Sequence, residues 1–307
     1  MIVTLQGTTS AEVGAKLVQL REQGGARALG RVLTLVIVSS GGDVEPAVEA
    51  ANRASREHPS RVVVIDPGDV DHPARLDAEI RVGGDAGASE VVILRPLGTT
   101  RDAVDTLVTP LLLPDAPVVA WWPKEPPANL AEDPLGRMAQ RRISDVGEVS
   151  RGVERLHELR EGYSPGDTDL SWARTTLWRG LSAGVVEGDP GATITAVTVR
   201  GNTDRPSLHL LAAWFASALE CSALVVHDEE SSVISGVDLH RETGTISLHR
   251  PEGSATVTIS TEHEPQRQVA MAKRPLEDCL MEDLRHLDPD VIYGRALRSG
   301  LKHVEVR

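Results

Sequence analysis

The chain has 307 residues, about twice the length of a typical single domain, which predicts two domains. Its formal net charge of −13 disfavours nucleic acids and anionic membrane surfaces as partners, because both ligands require concentrated positive charge. No run approaches the roughly 20 apolar residues of a membrane helix, and the N-terminus lacks a secretory signal pattern, so we expect a cytoplasmic protein.

Strand-like and helix-like segments alternate in the first half of the chain. Thr9 and Ser10 can cap a helix that runs to about Gln23, Asp43 can cap a second, and a third is expected near residues 100–109. Short apolar runs rich in β-branched residues predict buried strands at 32–38, 61–65, 91–94 and 116–122. This alternation predicts an α/β fold with a Rossmann-like, doubly wound sheet.

One strand in this half has an exposed face. In residues 76–82, the apolar Leu76, Ala78, Ile80 and Val82 alternate with charged residues, which is typical of a half-buried strand. The connection to Val91 is too short for a crossover helix. We therefore expect an antiparallel hairpin at the edge of the sheet.

The chain changes character after residue 123. A proline-rich polar stretch and a helix near 145–160 precede the segment EGYSPGDTD, which we take as the boundary between an α/β domain (1–162) and an α+β domain (163–307). The second domain is expected to contain helices at 169–182, 207–220, 275–286 and 289–299 and a strand at 193–199. Alternating segments at 233–240, 245–249 and 255–260 predict an antiparallel meander, with the inward pairs Val237/Leu239, Ile246/Leu248 and Val257/Ile259.

Possible catalytic motifs are present but poorly placed. Residues 180–184 read G-x-S-x-G, yet a nucleophile elbow needs a strand before its serine, and here a helix precedes Ser182; a glycine-terminated helix explains the motif without catalysis. Residues 39–42 join a strand to a helix and could hold a small anion, but Asp43 places a carboxylate where a phosphate would lie. The sequence therefore predicts no catalytic residue and no bound cofactor.

Metal and redox sites have equally weak support. The ten histidines are scattered, and the acidic neighbours of His227 read as a solvated loop, so no metal site is predicted. Cys221 and Cys279 are the only cysteines, which is typical of reduced structural thiols.

Aromatic residues are concentrated in one region. Of eight in the chain, Trp121, Trp122, Tyr163, Trp172 and Trp178 lie within residues 121–178. On one continuous helix, Trp178 falls on an apolar stripe that includes Leu177, whereas Trp172 projects to the opposite face beside Arg179. Domain–domain packing, an intermolecular interface and sugar stacking all remain open as explanations.

Four segments of the chain are distinctive: RLDAEIRVGGDAGASEVVILR (75–95), PLLLPDAPVVAWWP (110–123), DPLGRMAQRRISD (133–145) and DTDLSWARTTLWR (167–179). Together and in this order, they resemble the glucose-6-phosphate dehydrogenase assembly protein family (OpcA). The resemblance implies a non-catalytic protein that binds glucose-6-phosphate dehydrogenase and supports its assembly or allosteric state, and with it the oxidative pentose phosphate pathway and NADPH supply. Both cysteines lie outside these segments.

Some motif residues are candidates for contact with the dehydrogenase. They are Trp121, Trp122, Pro123, Arg141, Arg142, Asp169, Trp172, Arg174 and Arg179, with Asp85 and Trp178 also inside the matching segments. A sugar-phosphate- or nucleotide-binding enzyme or sensor that uses the Rossmann-like sheet is the alternative hypothesis.

Overall fold

The computed structural model describes residues 1–23, 32–83, 90–188, 193–262 and 265–307. The strands are Ile2–Leu5 (β1), Leu33–Val38 (β2), Ser60–Ile65 (β3), Arg75–Arg81 (β4), Glu90–Leu97 (β5), Val118–Trp122 (β6), Arg141–Ser144 (β7), Asp167–Asp169 (β8), Ile194–Gly201 (β9), Ser222–His227 (β10), Ile234–Arg241 (β11), Gly244–His249 (β12), Thr256–Ser260 (β13), Arg267–Ala270 (β14) and Val304–Val306 (β15).

The α-helices are Ser10–Gln23 (α1), Glu45–Ala54 (α2), Val104–Val108 (α3), Gly152–Glu161 (α4), Leu170–Ala173 (α5), Thr176–Glu187 (α6), Pro206–Leu219 (α7), Leu276–Arg285 (α8) and Val291–Arg298 (α9). Short 3-10 helices span Gly98–Ala103, Thr109–Leu111, Gly136–Met138, Val146–Glu148 and Gly300–His303. None of these described helices combines the length and apolar character that a membrane crossing would require.

The chain forms two compact units. The first contains Met1–Asp145 and Leu276–Pro289, and the second contains Val146–Pro275 and Asp290–Arg307. Helix α8 therefore belongs with the N-terminal part of the chain, where Arg53 of α2 forms an ion pair with its Glu277. The predicted domain boundary, between residues 162 and 163, does not coincide with the division into compact units, and it stays a prediction.

The first unit is built on a mixed sheet in the order β1-β4-β5-β3-β2-β6-β7. Strands β5, β3, β2, β6 and β7 are parallel, as the apolar runs predict. Strand β4 pairs antiparallel with β5 and buries Leu76, Ala78 and Ile80, which confirms the antiparallel hairpin and its half-buried strand. Strand β1 adds a further antiparallel edge that its four residues do not signal in sequence.

Helix starts in this unit follow their local sequence. Thr9 and Glu12 form a capping box at α1: the Glu12 N–H donates to Thr9 Oγ1, and the Thr9 N–H donates to Glu12 Oε2. At the start of α2, Asp43 Oδ1 accepts from the Glu45 N–H at 3.0 Å. The N-cap residue itself is Val44, so the predicted cap is shifted by one residue: Asp43 lies before the N-cap and bonds to the first N–H of α2.

The second unit contains a sheet in the order β14-β13-β12-β11-β9-β10-β15. Strands β11, β12 and β13 form the predicted antiparallel meander, and all six predicted inward residues are buried. Strand β9 continues antiparallel to β11 and parallel to β10. Trp178 and Phe215 belong to the apolar core of this unit.

The α/β class with two mixed sheets is thus confirmed. The differences lie at helix boundaries. The predicted helix at 169–182 is two helices, α5 and α6, and the last helix begins after Asp290 rather than near Asp288. Near 100–109, only Val104–Val108 is α-helical.

Candidate functional site

Asp169 organises the chain before Trp172. Its Oδ1 accepts from the Ser171 N–H at 2.8 Å and so caps α5, and its Oδ2 accepts from the Val146 N–H at 3.0 Å. A carboxylate at an N-cap satisfies backbone donors that the helix itself leaves unpaired. Asp169 is fully buried, so its role within this chain is to fix the helix that carries Trp172.

Trp172 bonds to the start of α9. Its Nε1–H donates to Asp290 Oδ2 at 2.8 Å, while Asp290 Oδ1 accepts from the Ile292 and Tyr293 N–H groups at 2.9 Å each. The Trp172 and Tyr293 rings lie 5.8 Å apart between centroids. One carboxylate therefore caps α9 and orients the indole at the same time.

A second aromatic contact extends this arrangement. Tyr163 packs edge-on against Tyr293 with 6.2 Å between ring centroids. Its hydroxyl lies over Gly294, where an added Cβ would be 2.5 Å from the oxygen. A side chain at position 294 would therefore force the Tyr163 ring to shift.

Arg179 covers the other part of the indole. Its Cζ lies 3.6 Å from the Trp172 ring centroid, Nε donates to Thr175 Oγ1 at 3.0 Å and Nη2 donates to Thr176 Oγ1 at 2.9 Å. Arg179 is half-buried, so this cation–π contact is partly screened by water. We call Asp169, Trp172, Arg179, Asp290 and Tyr293 the Trp172 cluster.

The prediction that Trp172 projects outward is wrong. Its side chain is only 3 % exposed, whereas Leu177, predicted to lie on the core stripe, is 41 % exposed. The projection assumed one continuous helix, but α5 ends at Ala173 and α6 begins at Thr176, so the two helices do not share one angular register. Trp178, in contrast, is buried in the core as predicted.

The remaining candidates divide between the two units. Trp121 and Trp122 lie in β6 and are buried, and Arg141 and Arg142 are buried in β7. Arg141 Nη2 pairs with Asp283 Oδ1 at 2.5 Å, and Nη1 donates to the Asp288 carbonyl at 3.0 Å.

Three candidates keep exposed area. They are Pro123, Arg174 and Arg179, all half-buried. Arg174 Nη2 lies 3.4 Å from Glu148 Oε1. Contact with a partner stays a prediction for all nine candidates, and Asp85 lies outside the described residues.

Two members of the cluster were missing from the sequence-based candidates. Asp290 is 118 residues from Trp172, and no pattern in the chain links them. The preference for aspartate at an N-cap could have identified Asp290 as the residue that begins α9. Tyr293 is one of only two tyrosines in the chain, and its pairing with Tyr163 has no local signal.

The motifs typical of enzymes have structural roles. Gly180, Ser182 and Gly184 lie inside α6, which continues to Glu187, so these glycines do not terminate the helix as predicted. Ser182 is fully buried there, not exposed on a strand-to-helix turn. Within the described ranges, no group of three or more metal-binding side chains is found.

These features define a protein of two α/β units in which most of the recognisable motif residues form the interior. Residues 51–161 match the family model described as the glucose-6-phosphate dehydrogenase subunit N-terminal domain. Residues 165–297 match the one described as the C-terminal domain of the same subunit. The chain belongs to the glucose-6-phosphate dehydrogenase assembly family (OpcA), which confirms the resemblance seen in its four segments.

Two solved structures are distantly similar to the chain. An NAD-binding oxidoreductase from Klebsiella pneumoniae is 10% identical, with a TM-score of 0.45, and the match covers 90% of this chain and 96% of that chain. An oxidoreductase from Sinorhizobium meliloti is 10% identical with a TM-score of 0.43, covering 89% and 96%. At these scores, neither likeness supports an inference about chemistry. No curated protein matches the chain.

Proposed function

We propose that this protein is a non-catalytic partner that binds glucose-6-phosphate dehydrogenase and raises its activity by favouring its active assembly or allosteric state. Such a role supports the oxidative pentose phosphate pathway and NADPH supply. The observation that carries this proposal is the match of both family models, which together extend over residues 51–161 and 165–297. The burial of Ser182 inside α6 and of Trp172 within its cluster is compatible with it.

Activation by binding places a thermodynamic condition on the affinity for the dehydrogenase. A protein that binds two states of the dehydrogenase equally shifts no equilibrium, so activation requires preferential binding to the active state. By reciprocity, the ligands that favour that state must tighten the complex. If instead the affinity is independent of those ligands, activation must come from the kinetics of assembly.

The test is to assay the dehydrogenase with and without this chain and to isolate the complex. The expected result is co-purification and a higher specific activity that saturates with added chain. The chain alone should form no NADPH from glucose 6-phosphate and NADP. Absence of a complex under conditions in which both proteins are folded would refute the proposal, and substrate-dependent NADPH formation by the chain alone would refute its non-catalytic part.

The exposed face of α6 is the proposed contact surface within the second unit. Leu177, Gly180 and Gly184 are exposed and recur at helical spacing, and half-buried Arg179 lies beside them on the same helix. An added Cβ at either glycine meets no atom within 4 Å. Packing within the chain therefore does not require these glycines, whereas close approach of another chain would.

Matched variants test this surface. Leu177→Ala should weaken the complex by about tenfold or more if the side chain is a hot spot. Val70→Ala, at an even more exposed aliphatic residue in the first unit, should have no effect. Titration calorimetry gives both affinities, and thermal melts establish that both variants are folded. If both variants bind the dehydrogenase with equal affinity, the contact surface lies elsewhere on the chain, and the proposed activation is unaffected by that result.

A further inference from the structure

A small cavity in the second unit is lined by four cationic side chains. Its volume is about 50 Å³, and Arg174, Arg250, Lys273 and Arg274 line it together with Ser207. The chain as a whole carries a net charge of −13. Convergence of four positive residues on one cavity is therefore a local property that the composition does not predict.

Arg250 is the most buried of the four cations. It is 7 % exposed, and its guanidinium donates to the carbonyl oxygens of Ile234 at 3.1 Å and Met271 at 3.3 Å. Its Cζ lies 5.3 Å from the Trp178 ring centroid. In the part of the chain that the structure describes, no carboxylate forms an ion pair with Arg250, and its guanidinium is surrounded by carbonyl dipoles and the indole. Burial lowers the pKa of Arg250, and Glu252 acts in the opposite direction. A buried cation of this kind is stabilised by an anion.

Ser207 supplies a second, independent feature. It is 9 % exposed and stands at the second position of α7, where the helix dipole favours negative charge. Its hydroxyl has no hydrogen-bond partner among the described residues, although it lines the cavity. This hydroxyl is open to the cavity, so it is available as a donor to a ligand or water there.

The other cations differ in how firmly they are held. Arg274 Nη1 donates to the Ala173 carbonyl at 2.8 Å, and Arg174 reaches Glu148. Lys273 is exposed, and its acidic neighbour Glu252 is engaged by Ser231 and Ser232. Two arginines are thus held in place beside the cavity, while a flexible ammonium is available at the surface.

We propose that this cavity binds a phosphoryl group, either as free phosphate or as the head group of a phosphate monoester. A water needs about 10–15 Å³ of such volume, so the cavity holds a group of a few non-hydrogen atoms. A phosphate monoester carries close to two negative charges and three acceptor oxygens, which match guanidinium, ammonium and hydroxyl donors. The inference is independent of the proposed partnership, because it concerns the chain alone.

Titration of the full chain with inorganic phosphate tests the proposal. The expected result is saturable binding at one site and a rise in the thermal midpoint that chloride at matched ionic strength does not reproduce. Ser207→Ala should weaken phosphate binding about tenfold, because a hydrogen bond to a charged group is lost. Lys273→Gln should weaken it about threefold, because its charge is exposed.

Controls keep the result interpretable. Lys302→Gln removes another exposed lysine of the same unit and should bind phosphate as the parent does. Arg250→Gln should abolish binding if the variant folds; Ser207→Ala and Lys273→Gln decide the matter if it does not. A parallel titration with glycerol 3-phosphate distinguishes the source: tighter binding than inorganic phosphate identifies a monoester, and weaker binding identifies free phosphate. Equal responses to phosphate and chloride, or unchanged affinity in both Ser207→Ala and Lys273→Gln, would overturn the assignment.

Discussion

Replacement of Trp172 by alanine should destabilise the second unit by about 3–5 kcal/mol, the usual cost of removing a buried aromatic side chain. The indole is 3 % exposed and contacts Tyr293 and Arg179, so truncation leaves a cavity that these neighbours cannot easily fill. The loss also removes the donor that bonds to Asp290 Oδ2. The cavity and the lost hydrogen bond are not additive, so the total of about 3–5 kcal/mol covers both.

A series of variants separates the packing contribution from the hydrogen bond. Trp172→Phe keeps most of the ring but removes Nε1–H, which leaves Asp290 with its backbone donors only, and should cost about 1.5–3 kcal/mol. Leu177→Ala is the matched control in the adjacent helix, because its side chain is 41 % exposed, and should cost less than about 1 kcal/mol.

Chemical denaturation of the three variants, followed by circular dichroism, measures these free energies. The expected order of stability loss is Trp172→Ala, then Trp172→Phe, then Leu177→Ala. A Trp172→Ala variant as stable as Leu177→Ala would contradict the buried position of the indole and restore the outward orientation that the helical projection suggested.

Further variants address other parts of the molecule. Asp283→Ala should cost about 3–5 kcal/mol, because it leaves the buried Arg141 guanidinium without its carboxylate, and the double variant with Arg141→Ala should cost less than the sum in a denaturation cycle. Gly180→Ala and Gly184→Ala should each raise the free energy of unfolding by about 0.5–1 kcal/mol, because both glycines lie in an exposed part of α6 with open space at Cβ. A lower free energy of unfolding in either variant would show that a contact within the chain requires glycine at that position. Burial raises the pKa of the Cys221 thiol above its ordinary value, so at pH 8 its thiolate fraction should be smaller than that of free cysteine. Its alkylation rate, measured by mass spectrometry, should therefore be lower than that of free cysteine, and a higher rate would contradict a structural role.

The parts of the fold that were predictable carry a strong local pattern. Continuous runs such as Leu33–Val38 and Ser60–Ile65 are typical of parallel strands buried on both faces, and the alternation in Arg75–Arg81 predicts a half-buried strand. Strands β1, β14 and β15 have only three or four residues, and they are defined by the hydrogen bonds that each forms with a neighbouring strand. Their own sequences therefore contain too little pattern to identify them.

Three of the five members of the Trp172 cluster were among the residues singled out in the sequence, but the geometry of the cluster was not predictable. The aromatic concentration correctly singled out Trp172 and Trp178, yet the angle between them depended on a helix break at Arg174 and Thr175 that no proline or glycine marks. Asp290 and Tyr293 enter the cluster through tertiary contacts across more than 100 residues. Propensity and periodicity act over short segments, so they cannot supply such pairings.

The burial of the motif residues changes where a partner surface should be sought. Trp121, Trp122, Arg141, Arg142, Asp169 and Trp172 are buried, so six of the nine candidates cannot reach a partner without local unfolding. Their charged members are already engaged within the chain, as in the Arg141–Asp283 pair and the Asp169 cap. A guanidinium that is already paired within the chain contributes little binding free energy when a partner offers a new carboxylate. An exposed aliphatic side chain such as Leu177 contributes favourable free energy when the partner removes it from water. Variants at the motif tryptophans would therefore report on stability, and binding energy is better sought on the exposed face of α6.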